Sequence, residues 1–430
     1  MRWRMEKLPE NRPEEGRKMG NLFKIAVRNL RRYKRRTLLT ASLVTIGVIF
    51  VLLYISVSGS FKNMMVGQIT DSMLGHLEVH RKGYLASIDN LPLNLNLRPQ
   101  AFKKLADILN KQPEVEAFSP RIKFGGMFST FVETTNIRLN GVNPDQEFKT
   151  IPLLPSRIIR GQKTLNKGEI LVPDLLARGM KVNVGDTIVI VATNKDGSVN
   201  GKQFKVSGVL ESVSGPGGRD GYIHIEDAME TLRMEEMEIS EVAIRLKHFG
   251  QLNAFSEKLE GLLVGEVNKE GKPIFEVHTW EKLSPFYNIA RMIDVMSFFI
   301  KLMLIAVVLI SIMNVMIMAV YERIREIGTI AAIGTLPGKI LSMFLVEGLC
   351  LGAMGALAGN ILGIIVILIL NRIGITFDFG MQKGLVLSAT IAPRDVLIIS
   401  LIVILISVIA SLQPAFKASR MEPIKALRHV

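Results

Sequence analysis

Four apolar runs, at about residues 37–59, 295–320, 341–370 and 396–412, set the first constraint on this chain. An α-helix needs ~20 consecutive apolar residues to cross the hydrocarbon of a bilayer, and each run approaches or exceeds that length. The 430 residues are 48% hydrophobic and also 21% charged. Most of the polar residues fall in one long segment between the first two runs. The chain is therefore expected to be a membrane α-helical protein of four transmembrane helices with a large extracytoplasmic α+β domain. The first run is about twice as long as a signal-peptide core and starts some 36 residues into the chain, so a retained anchor is expected.

The net charge of +14 is distributed unevenly. Residues 1–36 carry 13 Lys and Arg against 4 Glu, the tail 413–430 adds +3, and the loop 321–340 adds +1. Basic excess on alternate loops is the positive-inside pattern. It predicts cytoplasmic N- and C-termini, a cytoplasmic 321–340 loop and extracytoplasmic 60–290 and 371–395. It also argues against nucleic acid as a partner. Cys350 is the only cysteine and lies in the third run, so no disulfide or lipid-anchor cysteine is expected. These features predict a multi-pass protein of a bacterial cytoplasmic (inner) membrane.

The expected organisation follows. Residues 1–18 read as a disordered or mis-called extension, and 19–36 as a cytoplasmic interfacial amphipathic helix, with a plain stop-transfer charge cluster as the alternative. The spans and their joints are 37–59, a stalk and second span over 283–320, a coupling loop 321–340, 341–370, a linker 371–394, 395–412 and a tail 413–430. The domain 60–282 shows two β-α-β halves, at about 74–142 and 240–280. A mostly β subdomain, about 143–239, is inserted between them. Its turn signals are Val184-Gly185-Asp186, Lys195-Asp196-Gly197 and Ser214-Gly215-Pro216-Gly217-Gly218.

Several residues invite a chemical reading. Gly334-Thr-Leu-Pro-Gly338-Lys339-Ile340 resembles a phosphate loop, but its glycines are one residue too close and Ile340 has no hydroxyl for a metal. Nucleotide binding by this chain is thereby excluded. His76, Glu78 and His80 alternate along a predicted strand and share one face; a solvated face is the expectation, a metal site the alternative. No nucleophile elbow, paired-carboxylate pattern or zinc-protease helix is present, and no catalytic residue is assigned. Within the spans, Glu347 is costly to bury and is expected to pair with Arg323 or Arg325. Asn314 and Asn360 read as interhelical hydrogen-bonding groups, and Lys301 as a snorkelling cation. Gly348, Gly352, Gly355, Gly359 and Gly363 include GxxxG spacings that let another helix approach closely. Packing within one chain and a seam between two chains both fit that row.

The loop between the second and third runs carries the most specific signal. Tyr321-Glu322-Arg323-Ile324-Arg325-Glu326-Ile327-Gly328, followed by Ala331-Ala332-Ile333-Gly334, resembles the signature of the FtsX-like permeases of ABC transporters. Glu347-Gly348 follows at the family's distance. Pro414-Ala415 with Ala418-Ser419-Arg420-Met421-Glu422-Pro423-Ile424-Lys425-Ala426-Leu427-Arg428 resembles its C-terminal motif. The opening Ala26-Val-Arg28-Asn29-Leu30 with Arg35-Arg36-Thr37 is similar as well. Ala331 departs from the basic or polar residue common there.

The resemblance implies the MacB-like (type VII) ABC-permease architecture shared by MacB, LolC and LolE relatives. It implies that Glu322, Arg323, Arg325, Glu326, Ile327, Gly328, Ala332 and Gly334 belong to a coupling helix seated on a separate ABC ATPase subunit, which binds the ATP and Mg. It further implies a second permease subunit in a homo- or heterodimer. The chain itself is then a non-catalytic subunit with no cofactor of its own. It would act by mechanotransmission, passing ATPase closure to the external domain. The start of that domain, Gly75-His76-Leu77-Glu78-Val79 with Gly83-Tyr84, looks most like the LolE-related permeases. Lipoprotein cargo and a periplasmic carrier or adaptor are the implied partners, alongside membrane lipids. Efflux of hydrophobic drugs or peptides, and regulation of an extracytoplasmic enzyme, are the alternatives.

Overall fold

The structure is a computed structural model and describes residues 14–212, 220–268, 270–379, 382–386 and 388–427. The glycine-rich turn at Ser214–Gly218 and residues 1–13 of the expected extension lie outside these. The chain forms two compact units. One comprises Met1–Phe61, Ile293–Ile375 and Val386–Val430; the other comprises Lys62–Met292 and Thr376–Leu385.

In chain order the helices are α1 (Glu14–Arg32), α2 (Lys34–Ile69), α3 (Pro99–Asn110), α4 (Pro144–Thr150), α5 (Asp174–Gly179), α6 (Ile225–Thr231) and α7 (Leu252–Leu263). They continue with α8 (Trp280–Leu283), α9 (Tyr287–Glu322), α10 (Ile324–Ala332), α11 (Pro337–Ile373), α12 (Pro393–Ser419) and α13 (Pro423–Leu427). Among the described residues, four helices are long and apolar enough to span a membrane: α2 with the π-helical turn after it, α9, α11 and α12. At 1.5 Å per residue the 36 residues of α9 reach roughly 54 Å, well beyond the ~30 Å hydrocarbon. The helix expected over the stalk and second span, 283–320, runs unbroken as α9 from Tyr287, and the short α8 before it ends at Leu283, ahead of Pro285. A Pro removes a backbone donor and disfavours helix at the residue before it. Residues 14–18, expected to be disordered, continue α1.

The glycine row of α11 packs within this chain. A methyl at Gly348 or Gly352 would overlap Ser411 or Ser407 of α12, and one at Gly355 or Gly359 would overlap Val44 or Val48 of α2. Gly363 faces Leu52 in the same way. The spacing thus places α12 on one stretch of α11 and α2 on the next. Of the two readings of this row, the intramolecular one is observed. Asn360 donates to Ser400 Oγ at 2.6 Å across the α11–α12 contact, whereas Asn314 is exposed within the unit.

The second unit is built on ten strands: β1 (Leu77–Arg81), β2 (Val115–Ser129), β3 (Thr134–Val142), β4 (Ile158–Gly161), β5 (Glu169–Pro173), β6 (Thr187–Thr193), β7 (Val199–Leu210), β8 (Asp220–His224), β9 (Glu241–Leu246) and β10 (Phe275–Thr279). A separate hairpin pairs β11 (Thr376–Phe379) with β12 (Gln382–Val386). The hydrogen-bonded order is β10-β1-β9-β2-β3-β8-β5-β7-β4, with β6 bridging β2 and β7. Strands of the inserted segment therefore continue the same ladder, where a separate subdomain was expected. The 15-residue β2 makes this possible: residues 115–121 pair with β9 and residues 121–129 with β3. Its run Arg121-Ile-Lys-Phe-Gly-Gly mixes charge and glycine into the pattern, which hides it from a periodicity reading.

The alternating His76, Glu78 and His80 also depart from expectation. They are buried, not solvated: Glu78 is 1% exposed and His80 0%. Glu78 and His80 meet Glu241 of β9, and the ligand atoms of the three lie within 4.8 Å of one another. The carboxylates divide their oxygens. Arg121 Nη1 lies 2.9 Å from Glu241 Oε1 and 3.5 Å from Glu78 Oε1, and Lys123 Nζ lies 2.8 Å from Glu241 Oε1. His80 Nε2 lies 3.5 Å from the Oε2 of each. Arg121 also forks onto Glu147 of α4 at 2.7 and 3.2 Å. His76 leaves the group and accepts from the Leu246 amide at 3.0 Å. Three buried carboxylates thus face Arg121, Lys123 and the imidazole of His80. Desolvation first, and then the Glu241 charge, push the Glu78 carboxyl up to about 7. Burial works against Glu241 too, but Lys123, His80 and Arg121 outweigh it and hold that carboxyl well below its usual range.

Glu78 therefore binds its proton more tightly folded than unfolded, from about its ordinary value of 4.5 up to about 7. Its contribution to stability is complete below pH 4.5 and is lost as pH rises towards 7. Thermal unfolding of the full chain in detergent, followed through buried Trp280, should show a midpoint that falls between pH 5 and 7.5. Glu78→Gln, neutral throughout, should flatten that slope; an unchanged slope would place the titration elsewhere.

Candidate functional site: the loop between the second and third spans

The loop is a folded piece of the first unit. α9 ends at Glu322, Arg323 breaks the helical conformation (φ −112°, ψ 17°), and α10 runs from Ile324 to Ala332. Gly334 then turns at φ +93°, a conformation that favours glycine, and Pro337 opens α11. The apolar positions Ile324 and Ile327, with Gly328, are spaced to share one side of the short helix, and all three are buried. Gly328 meets α13: a methyl there would come within 2.7 Å of Ala426 Cβ.

A network of ion pairs fixes the base of this helix. Glu347 of α11 is completely buried and faces two guanidinium groups, Arg323 Nη1 at 3.3 Å and Arg36 Nη2 at 3.2 Å. Arg36 reaches Glu322 at 3.1 Å through its other nitrogen. Arg323 Nε donates to Glu326 Oε2 at 2.9 Å, and the Tyr33 hydroxyl donates to Glu326 Oε1 at 3.3 Å. Arg32 adds a looser contact to Glu326 at 3.5 Å. The Arg323 hydrogen bond leads in holding the Glu326 carboxyl below its usual range, against partial desolvation. The ring of Tyr33, at the α1–α2 junction, lies 5.2 Å from the Arg36 guanidinium and 5.9 Å from that of Arg323. Lys417 of α12 donates to the Tyr321 hydroxyl at 2.8 Å.

The residues expected to contact a partner thus divide. Arg323, Ile327 and Gly328 face inward and are occupied by the chain itself. Glu322, Arg325, Ala332 and Gly334 are exposed, and Glu326 is half-buried. Next to them Ile333 is 80% and Leu336 64% exposed. These two apolar side chains, with Thr329, complete an outward face that the motif alone did not single out. Sequence reasoning missed Tyr33, and it placed Arg36 and Ala426 in the terminal motifs without bringing them to this loop. The one usable signal was the ionisable Glu347, which demands a cation from elsewhere in the unit.

The family described as MacB-like periplasmic core domain matches residues 37–262, and FtsX-like permease C-terminal matches residues 298–423. The chain belongs to the MacB- and FtsX-like permease family. It is 23% identical to the lipoprotein-releasing system transmembrane protein LolC of Neisseria meningitidis, over 94% of this chain and 98% of that protein. It is 22% identical to LolE of Haemophilus influenzae, over 76% of this chain and 80% of that one. The macrolide export ATP-binding/permease protein MacB of Nitrobacter winogradskyi is 29% identical over 53% of this chain but only 34% of its own length. The chain is thus an ABC-transporter permease of an inner membrane, with a periplasmic domain.

Arg323→Ala would leave Glu347 buried with one of its two counter-charges missing. Breaking a buried pair costs about 3–5 kcal/mol. The full-length variant should melt well below wild type in detergent, and Arg323→Lys should recover only part of the loss, because it cannot hold Glu326 and Glu347 together. Equal melting of Arg323→Ala and wild type would show the network to be dispensable.

Proposed function

We propose that this chain is the non-catalytic transmembrane subunit of an ATP-driven complex that releases lipoproteins from the inner membrane. In this reading a separate ABC ATPase binds ATP and Mg and seats on the outward face of α10, against Glu322, Arg325, Thr329, Ala332 and Ile333. Closure of the ATPase pushes α10, and the buried Arg323–Glu347–Arg36 group makes α2, α9 and α11 take up that push. A second permease subunit completes the complex, and lipoprotein cargo passes to a periplasmic carrier. The N- and C-termini, with α10, face the cytoplasm, as the alternation of basic loops supports.

The observation that carries this reading is the pairing of a rigid inner face with an exposed apolar and charged outer face on the same short helix. A loop that only reversed the chain would need neither. Lipoprotein release is preferred over drug export because the LolC likeness runs almost end to end in both chains, whereas the MacB likeness covers a third of that protein.

Ile333→Asp tests the docking face without touching the network beneath it. The variant should assemble into membranes at wild-type levels yet lose most of its stimulation of the co-expressed ATPase; full stimulation would refute docking there. Depletion of the chain should leave lipoproteins in the inner-membrane fraction. Unaltered lipoprotein sorting with raised sensitivity to hydrophobic drugs would favour export.

A further inference from the structure

We infer that the junction of α1, α2 and α11 holds an anionic glycerophospholipid, with one acyl chain lying between α2 and α11 and the headgroup on Arg31 and Lys34. The groove has a volume of about 770 Å³, inside the range of about 300–1,000 Å³ usual for ligand sites. Small side chains create it: Ala41 and Ser42 on α2 face Ala353 and Ala358 on α11. Exposed Leu38, Leu349, Met354 and Leu362 form its apolar rim. From Leu349 to Leu362 it follows α11 for roughly 20 Å, more than the ~15 Å depth of one leaflet of a ~30 Å hydrocarbon core. A groove of this depth in the spanning part of the chain is filled by something apolar.

The polar end of the groove decides what that is. Arg31 and Lys34 line it where α1 meets α2, and both are exposed. Among the described residues neither has an ion pair or a side-chain hydrogen bond. Their neighbours in sequence behave otherwise: Arg32 pairs with Glu326 and Arg36 with Glu322 and Glu347. Within this basic run Arg32 and Arg36 are held by the chain's own carboxylates, while Arg31 and Lys34 stand at the mouth of an apolar channel. Phe23, Lys24, Val27 and Arg28 continue the site along α1 as an adjoining cavity of about 340 Å³. An acyl chain satisfies the walls, and a phosphate satisfies the cations. A neighbouring protein helix would satisfy only the walls.

The test is retention of lipid by the purified full-length chain, read by native mass spectrometry after exchange in mixed micelles of phosphatidylglycerol and phosphatidylcholine. Wild type should retain phosphatidylglycerol preferentially. A basic residue near the surface contributes about a fivefold preference for an anionic lipid, so Arg31→Glu with Lys34→Glu should abolish the preference while some lipid of either kind remains. Ala353→Trp, filling the groove, should lower retention of both lipids; Ala41→Trp does the same from the α2 side and covers the case in which one variant does not fold. Equal retention of the two lipids by wild type would overturn the inference, as would an unchanged preference in the double charge variant. So would efficient cross-linking of a cysteine at Leu38 to a second protein chain in place of lipid.

Discussion

A carboxylate with no exposed surface in a membrane helix has to be met by positive charge. Glu347 is such a group, and much of the first unit is arranged around answering it. Neither of its partners comes from α11. Arg36 stands in the first turn of α2, and Arg323 occupies the break between α9 and α10. Removing an ion from water costs several kcal/mol, recovered only when geometry and further hydrogen bonds are good. The further bonds here run through Glu322, Glu326 and Tyr33, all outside the spans or at their ends. One buried acid thereby fixes the angle at which α10 leaves α9, and ties the α1–α2 junction to the same point.

On the proposed reading, that arrangement makes the short helix a lever. Its inner side is closed by Ile324, Ile327 and the Gly328–Ala426 contact, so it has no room to rotate about its own axis. Sideways force on the outer face has to be taken up by the spans to which Arg323 and Glu347 belong. Packed elements of this kind switch between discrete arrangements and do not bend continuously. On the proposed reading, the glycine row of α11 is the complementary feature. It lets α2 and α12 lie close enough that a displaced α11 carries both neighbours with it.

The spans were legible because hydropathy is a local property, readable in windows of ~20 residues. The family motif of residues 321–334 was legible for the same reason: its residues are contiguous. What escaped was non-local. Alternating His76, Glu78 and His80 have the pattern of a strand's wet face. Only Arg121, Lys123 and Glu241, far away in the chain, make their burial tolerable. Arg36 read as one cation at the end of an interfacial helix, since nothing nearby distinguishes it from Arg35. The register of β2 across two sets of partners is a tertiary fact as well. Pairing rules constrain which faces agree, but they do not say that one strand will serve both halves.

The two units meet a similar physical problem with different arithmetic. In the first, Arg32, Arg36 and Arg323 stand against Glu322, Glu326 and Glu347, three cations to three acids. In the second, Arg121, Lys123 and the imidazole of His80 stand against Glu78, Glu147 and Glu241. Burial and the Glu241 charge raise the Glu78 carboxyl to about 7, so the charge of this cluster follows the pH of its surroundings. The unpaired Arg31 and Lys34 extend the same logic outwards. Arg32 and Arg36 are held by the chain's own carboxylates, and Arg31 and Lys34, at the mouth of the groove, are placed to meet an anion that the chain does not itself supply.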